Sequence, residues 1–174
     1  MRNCIETKLC ISKIAPAEHF LNRVLSLTHP SLFRQASKCL SELRSHPDTQ
    51  SVARTWTSVF SGIAVIANRV TPKHIDRFGA APWYDSLASV GTFSKATLDL
   101  PGLGISLSYA PGTVVNLCGN VIEHEVKRWG SDDRVCYAHF MRRAVFDRFG
   151  VASAAWVKQV DYDGLADALV RGAV

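Results

Sequence analysis

From Val59 onward the chain breaks into short runs rich in β-branched and apolar residues: Ile63 to Val70, Ile105 to Tyr109, Thr113 to Leu117 and Val135 to Met141. Turn signals separate them at Pro101-Gly102, Pro111-Gly112, Gly119-Asn120 and Gly130-Ser131. Each run reads as a strand, and their close spacing predicts an all-β sandwich or jelly roll. Before about Trp56 the texture is different. Pro16 opens a stretch carrying Phe20, Leu21, Val24, Leu25 and Leu27, and His29-Pro30 punctuates a second with Leu32, Ala36, Leu40 and Leu43. Both stretches run near a period of 3.6, which predicts two amphipathic helices packed on the β-rich body. Ala152 to Val170 returns to a helical pattern. The expected organisation is a helical flank over 1–57, a β core over 58–150 and a second helical flank over 151–174, together one structural domain.

A chain of 174 residues has the length of one domain and buries a core without disulfide staples. Hydrophobic residues make up 47% and charged residues 20%, with no long polar tract, which excludes a disordered chain. The five cysteines are odd in number and widely spread, with no CxxC pair. That pattern argues against a disulfide framework or a zinc ribbon and fits a reducing compartment. Arg2, Glu6, Lys8 and Lys13 interrupt the first residues before a signal-like apolar run forms, and no later stretch has the apolar length of a membrane span. The expectation is a soluble intracellular protein. A formal charge of +5 and a pI near 9.1 are compatible with a polyanionic partner, but many proteins with small-molecule substrates carry a similar excess.

The chemistry-bearing feature is "TPKHIDRFG", in which His74 and Asp76 stand two apart. Residues i and i+2 of a strand point to one face, so a single strand end can supply both to one metal. Two imidazoles and one carboxylate on one face of Fe(II) leave the opposite positions free for cosubstrate and O2. With six His and ten Asp in the chain, about 0.3 His-x-Asp matches arise by chance, so the tripeptide alone is weak. His124 in "GNVIEHEVKRW" follows 50 residues after His74, far enough for several strands to bring the chain back to the metal. Arg134 lies ten residues further on and opens the next strand, where its guanidinium can pair with a carboxylate at two points. Taken singly, each histidine also reads as an ordinary surface or core residue, and Arg134 as an ion-pair partner of Asp132 or Asp133.

These residues stand within longer segments, "VFSGIAVIANRVTPKHID", "WYDSLASVGTFSKATLDLPGLGISLSYAPGTVV" and "HEVKRWGSDDRVCYAHFMRRAV". From about His29 to Phe149 the chain resembles the fungal branch of the TET/JBP-like 2-oxoglutarate and Fe(II)-dependent dioxygenases. The resemblance implies a mainly β fold, a double-stranded β-helix of jelly-roll or cupin type with flanking α-helices. It implies Fe(II), 2-oxoglutarate and O2 as the reagents, and oxidation of the methyl group of 5-methylcytosine in DNA, with nuclear localisation following from that substrate. Carried over by position, His74, Asp76 and His124 bind iron, and Arg134 holds the 2-oxoglutarate tail. Arg69, five residues before His74, also reaches the cosubstrate.

An enzyme that modifies a base must flip and clamp it. Tyr137 and His139 in "CYAHF" are the candidates, but their strand parity is opposite to that of Arg134, so all three point inward only through a bulge or twist. Packing outside the barrel is the competing reading. Trp83 and Tyr84 form a second candidate lip, with packing the more ordinary role, and Arg142, Arg143, Lys127, Arg128 and Arg148 are candidate phosphate contacts or a solvated face. Three functions follow: a TET-like nucleobase dioxygenase, a dioxygenase of the same fold acting on a small molecule, RNA or protein side chain, and a non-catalytic relic used for binding.

Overall fold

The computed structural model describes residues 2–163. The chain divides into two compact units, one comprising Met1–Ser61 with Val145–Val174 and the other Gly62–Ala144.

The first unit is helical. α1 runs Arg2–Thr28 and α2 runs Pro30–Ser45, followed by a short α3, Gln50–Ala53. α1 starts earlier than the expected opening at Pro16 and continues through it. Proline's fixed φ is compatible with the helix, although it costs one backbone hydrogen bond there. Leu21 and Leu25, one turn apart, are buried, whereas Phe20 is 59% exposed. α2 has a firm start, with Pro30 in its first turn and the His29 imidazole accepting from the Leu32 N–H at 3.3 Å. Leu32, Ala36, Cys39 and Leu40 form its buried face at helical spacing. α4, Arg143–Arg148, closes at Gly150, whose φ of +59° suits glycine and turns the chain away. The expected C-terminal helix is absent from residues 151–158, which carry no regular structure, and Gln159–Tyr162 forms only a 3₁₀ turn. Asp163 is helical, and residues 164–170 of that stretch lie outside the described residues.

The second unit consists of eight strands. They are β1 Gly62–Ala67, β2 Thr71–His74, β3 Asp85–Gly91, β4 Thr97–Leu100, β5 Ile105–Ser108, β6 Val114–Leu117, β7 His124–Val126 and β8 Arg134–Phe140. They form two four-stranded antiparallel sheets, ordered β1-β8-β3-β6 and β2-β7-β4-β5. The chain alternates between the sheets except at the β4–β5 hairpin, and their inner faces meet over Leu87, Leu117 and Cys136 from the first and Leu98, Leu100 and Val126 from the second, with Phe93 and Tyr109 between. Gly91 ends β3 at φ +136°, where a side chain would collide with the Asp133 carbonyl, so only glycine lets β3 approach the start of β8. This is the double-stranded β-helix expected from the sequence, with helices at the N-terminus.

Candidate metal centre

β2 and β7 pair with His74 directly opposite His124, and the register slips between Thr71 and His74. The irregularity aims His74 at its partner, and the two imidazole centroids lie 4.3 Å apart. Each ring is oriented by its own backbone: His74 Nδ1 stands 2.8 Å from the Pro72 carbonyl and His124 Nδ1 2.9 Å from the Ile122 carbonyl. A carbonyl only accepts, so Nδ1 carries the proton in both rings and the Nε2 lone pairs are free for a ligand. Asp76 lies beyond the end of β2, in a loop and not on the strand as the parity argument expected. It is held there by its N–H donating to the Gly119 carbonyl at 2.9 Å and its own carbonyl accepting from Asn120 Nδ2 at 2.7 Å. Its two carboxylate oxygens stand 3.7 Å from His74 Nε2 and 3.6 Å from His124 Nε2.

All three donor atoms lie within 4.8 Å of one another. Ligands about 2.1 Å from a first-row metal at right angles stand about 3 Å apart, so modest side-chain rotation closes the set around one ion. The donor types fit Fe(II), and three of them leave three positions open. Burial lowers the pKa of His124 and the neighbouring His74 adds to this, against the Ile122 carbonyl and Asp76, so the ring is held neutral as a ligand must be.

The centre opens into a cavity of about 300 Å³ lined by apolar Ala64, Ile66, Leu98, Val126 and Ala138 and by Arg134. Arg134 is 1% exposed, and its Nε and Nη1 have no hydrogen-bond partner within the protein. A buried guanidinium with orphaned donors facing a cavity is costly unless an anion completes it. The donor set and the orphaned guanidinium together fit a metal and a dicarboxylic cosubstrate.

Two participants were not visible in the sequence. Asp85, the first residue of β3, lines the same cavity. Burial, reinforced by Asp76 and opposed by Arg142, pushes its carboxyl up to about 8. Gly119 is the other: a side chain there would press on the carboxylates of both Asp85 and Asp76.

The remaining expected residues divide. Arg69 is exposed beyond β1 and is not part of the cavity wall, so the structure does not bring it to the centre. β8 pairs without interruption with β3 from Arg134 to His139 and with β1 from Val135 to Phe140, so no bulge rescues the parity conflict. Arg134 and Cys136 line the cavity and Tyr137 does not; His139 is among the lining residues and is buried, with its Nδ1 3.3 Å from the Ser86 carbonyl and 3.2 Å from the Tyr137 carbonyl. Trp83 is 2% exposed and packs. Lys127 pairs with Glu125 at 2.9 Å, and Arg148 with Asp48 at 3.5 Å. At the cavity rim the Arg142 guanidinium lies between two rings, 4.5 Å from the centroid of Phe78 and 4.6 Å from that of Phe140.

Comparison with known proteins bears on the family and the fold. The Tet_JBP family, described as the oxygenase domain of the 2OGFeDO superfamily, matches residues 2–143. None of the curated proteins matches the chain. The solved structure of NgTET1 in complex with 5mC DNA superposes with a TM-score of 0.58 at 15% identity, over 88% of this chain and 56% of that one, which shows a shared fold. A Cupin 2 conserved barrel domain protein from Salinispora arenicola overlaps more loosely, with a TM-score of 0.33 at 21% identity over 51% of this chain and 66% of that one. The chain belongs to the Tet_JBP family of oxygenase domains and is a dioxygenase that uses Fe(II), 2-oxoglutarate and O2.

Proposed function

We propose that His74, Asp76 and His124 hold the iron, that Arg134 seats the far carboxylate of 2-oxoglutarate, and that the substrate is 5-methylcytosine in DNA. What carries the reading is the convergence of three ligand atoms within 4.8 Å on a cavity whose wall holds a buried guanidinium with two unpaired nitrogens. When bound, Fe(II) with 2-oxoglutarate and O2 inserts one oxygen atom into a C–H bond as the cosubstrate loses CO2 and becomes succinate.

The chain supplies position and environment. The Pro72 and Ile122 carbonyls fix the two imidazole tautomers, so both rings present Nε2 without having to shed a proton. The backbone clasp around Asp76 places one carboxylate oxygen near each imidazole. Apolar walls exclude water from the reacting carbon and strengthen the pairing of Arg134 with an anion.

The rim supports a nucleobase as the target. Phe78 is 68% exposed, and the slot between it and Phe140 already accepts one flat delocalised group, the Arg142 guanidinium. An extrahelical base is another such group, and stacking on aromatic rings is the usual way a flipped base is held. NgTET1, which shares the fold, was solved with 5mC DNA.

The test is turnover after anaerobic loading with Fe(II) and 2-oxoglutarate, followed by air, with and without a duplex carrying 5-methylcytosine. Succinate formed in step with oxidised cytosine, read by mass spectrometry of the DNA, is the expected result. Succinate without any DNA product overturns the substrate while keeping the iron chemistry.

A further inference from the structure

Tyr109 follows β5 directly, with its N–H donating to the Ala96 carbonyl at 2.9 Å, and the residue is 0% exposed. Its ring centroid lies 5.4 Å from the Arg134 guanidinium carbon, and its hydroxyl stands 3.3 Å from Cys136 Sγ. Arg134 and Cys136 are two apart on β8 and share its inner face, so strand geometry sets all three on one wall of the cavity. The grouping is chemically one-sided. The hydroxyl's neighbours are a thiol, which is a weak partner, and the Arg134 guanidinium, which can only donate to the phenolic oxygen, so its proton retains capacity for a stronger acceptor. Beside it, Arg134 Nε and Nη1 have donors and no acceptor within the protein. Burial and the neighbouring Cys136 drive the ionisation of Tyr109 far above its ordinary range, against the pull of Arg134, so the hydroxyl keeps its proton.

A wall made of a guanidinium and a protonated phenol is complementary to a carboxylate, which has two oxygens and several lone pairs to fill. One oxygen can take Arg134 and the other the phenol. We infer that Tyr109 is a second donor to the far carboxylate of 2-oxoglutarate, with the Cys136 thiol turned to donate to the phenolic oxygen and so orient its proton toward the anion. The inference rests on the seat proposed above for Arg134 and extends it to a residue that no sequence signal marked. Tyr109 is a positioning residue for the cosubstrate and takes no part in its oxidation.

The experiment compares two ligands on the Mn(II)-loaded protein, where no turnover occurs. One is 2-oxoglutarate, and the other is 2-oxobutyrate, which has the same metal-chelating head and lacks the far carboxylate; binding of each is measured by calorimetry or equilibrium dialysis. Tyr109→Phe removes the hydroxyl and keeps the ring. It is expected to weaken 2-oxoglutarate by about 10- to 100-fold, the range for a hydrogen bond to a charged group, while leaving 2-oxobutyrate within about twofold. Equal loss for both ligands, or for neither, overturns the inference, because a purely structural role cannot distinguish a carboxylate from a methyl group.

If thermal unfolding shows that Tyr109→Phe is misfolded, Cys136→Ala is read instead. It is expected to weaken 2-oxoglutarate several-fold and spare 2-oxobutyrate, and an unchanged preference overturns the inference. Arg134→Gln in the same assay separates this failure from that of the underlying seat. If Arg134→Gln loses the preference and Tyr109→Phe keeps it, only the role of Tyr109 falls. If Arg134→Gln also keeps it, the far carboxylate lies elsewhere and both readings fall.

Discussion

Replacing Gly119 by alanine should displace Asp76, a proposed metal ligand, without substituting any residue proposed to bind the metal. The new Cβ would stand 2.7 Å from Asp76 Oδ2 and closer still to Asp85 Oδ2. Contacts tighter than 3.4 Å are already uncommon, so Asp76 Oδ2 has to retreat by about 3.4 − 2.7 = 0.7 Å. Metal sites tolerate displacements of about 0.2 Å in a ligand. The Asp76 backbone cannot follow, being clasped by the Gly119 carbonyl and Asn120. The carboxylate must therefore rotate away from one imidazole, an effect comparable to losing a group that orients a ligand. Metal affinity should fall by about 10- to 100-fold, or about 1.4–2.8 kcal/mol. Calorimetric titration with Mn(II), alongside thermal unfolding of the metal-free protein, measures this. A Gly119→Ala variant that binds metal as tightly as the parent refutes the reasoning, since Asp76 Oδ2 could then not be a ligand in the position described.

Arg134→Ala should weaken 2-oxoglutarate by two to three orders of magnitude, about 3–4 kcal/mol, and change metal affinity little, as read by the same titration with and without cosubstrate. Phe78→Ala, at a ring 68% exposed, should leave the fold and the metal affinity intact while reducing oxidation of methylated DNA about tenfold, the share of one stacking ring. Burial and, secondarily, Glu42 push the Cys39 thiol from 9.0 up to about 11. The folded pKa lies above the unfolded one, so this contribution to stability is fully present below pH 9 and is lost as pH rises through about 11. Denaturant unfolding between pH 8 and 11 should show the parent losing stability faster than Cys39→Ala over that window.

The proposed iron ligands could be picked out of the sequence because the chemistry expected of them restricts them to few residue types in a fixed order. His74, Asp76, His124 and Arg134 meet as anticipated, although the clasp at Gly119 and Asn120, and not strand parity, is what positions Asp76. The strands that read clearly, β1, β5, β6 and β8, carry β-branched, aromatic and other apolar residues. β2 is "TPKH" and β3 is "DSLASVG", and neither stands out as an apolar run, because proline, aspartate and glycine are depleted from strands. Their pairing is set by tertiary context: β3 lies between β6 and β8, where Ser86 and Ser89 are small enough to be buried. Asp85, Gly119 and Tyr109 escaped notice for a related reason. An aspartate, a glycine or a tyrosine acquires a role at this centre only through neighbours that are distant in sequence, and a single chain read in order does not display those neighbours.

The most direct test of the account is an anaerobic titration with Fe(II) and then 2-oxoglutarate, followed by visible absorption. The parent should bind one equivalent of each and develop a charge-transfer band only when both are present, and His124→Ala should lose the iron and the band together. Iron bound equally well by His124→Ala, or a cosubstrate that binds without perturbing the iron spectrum, would contradict the centre described.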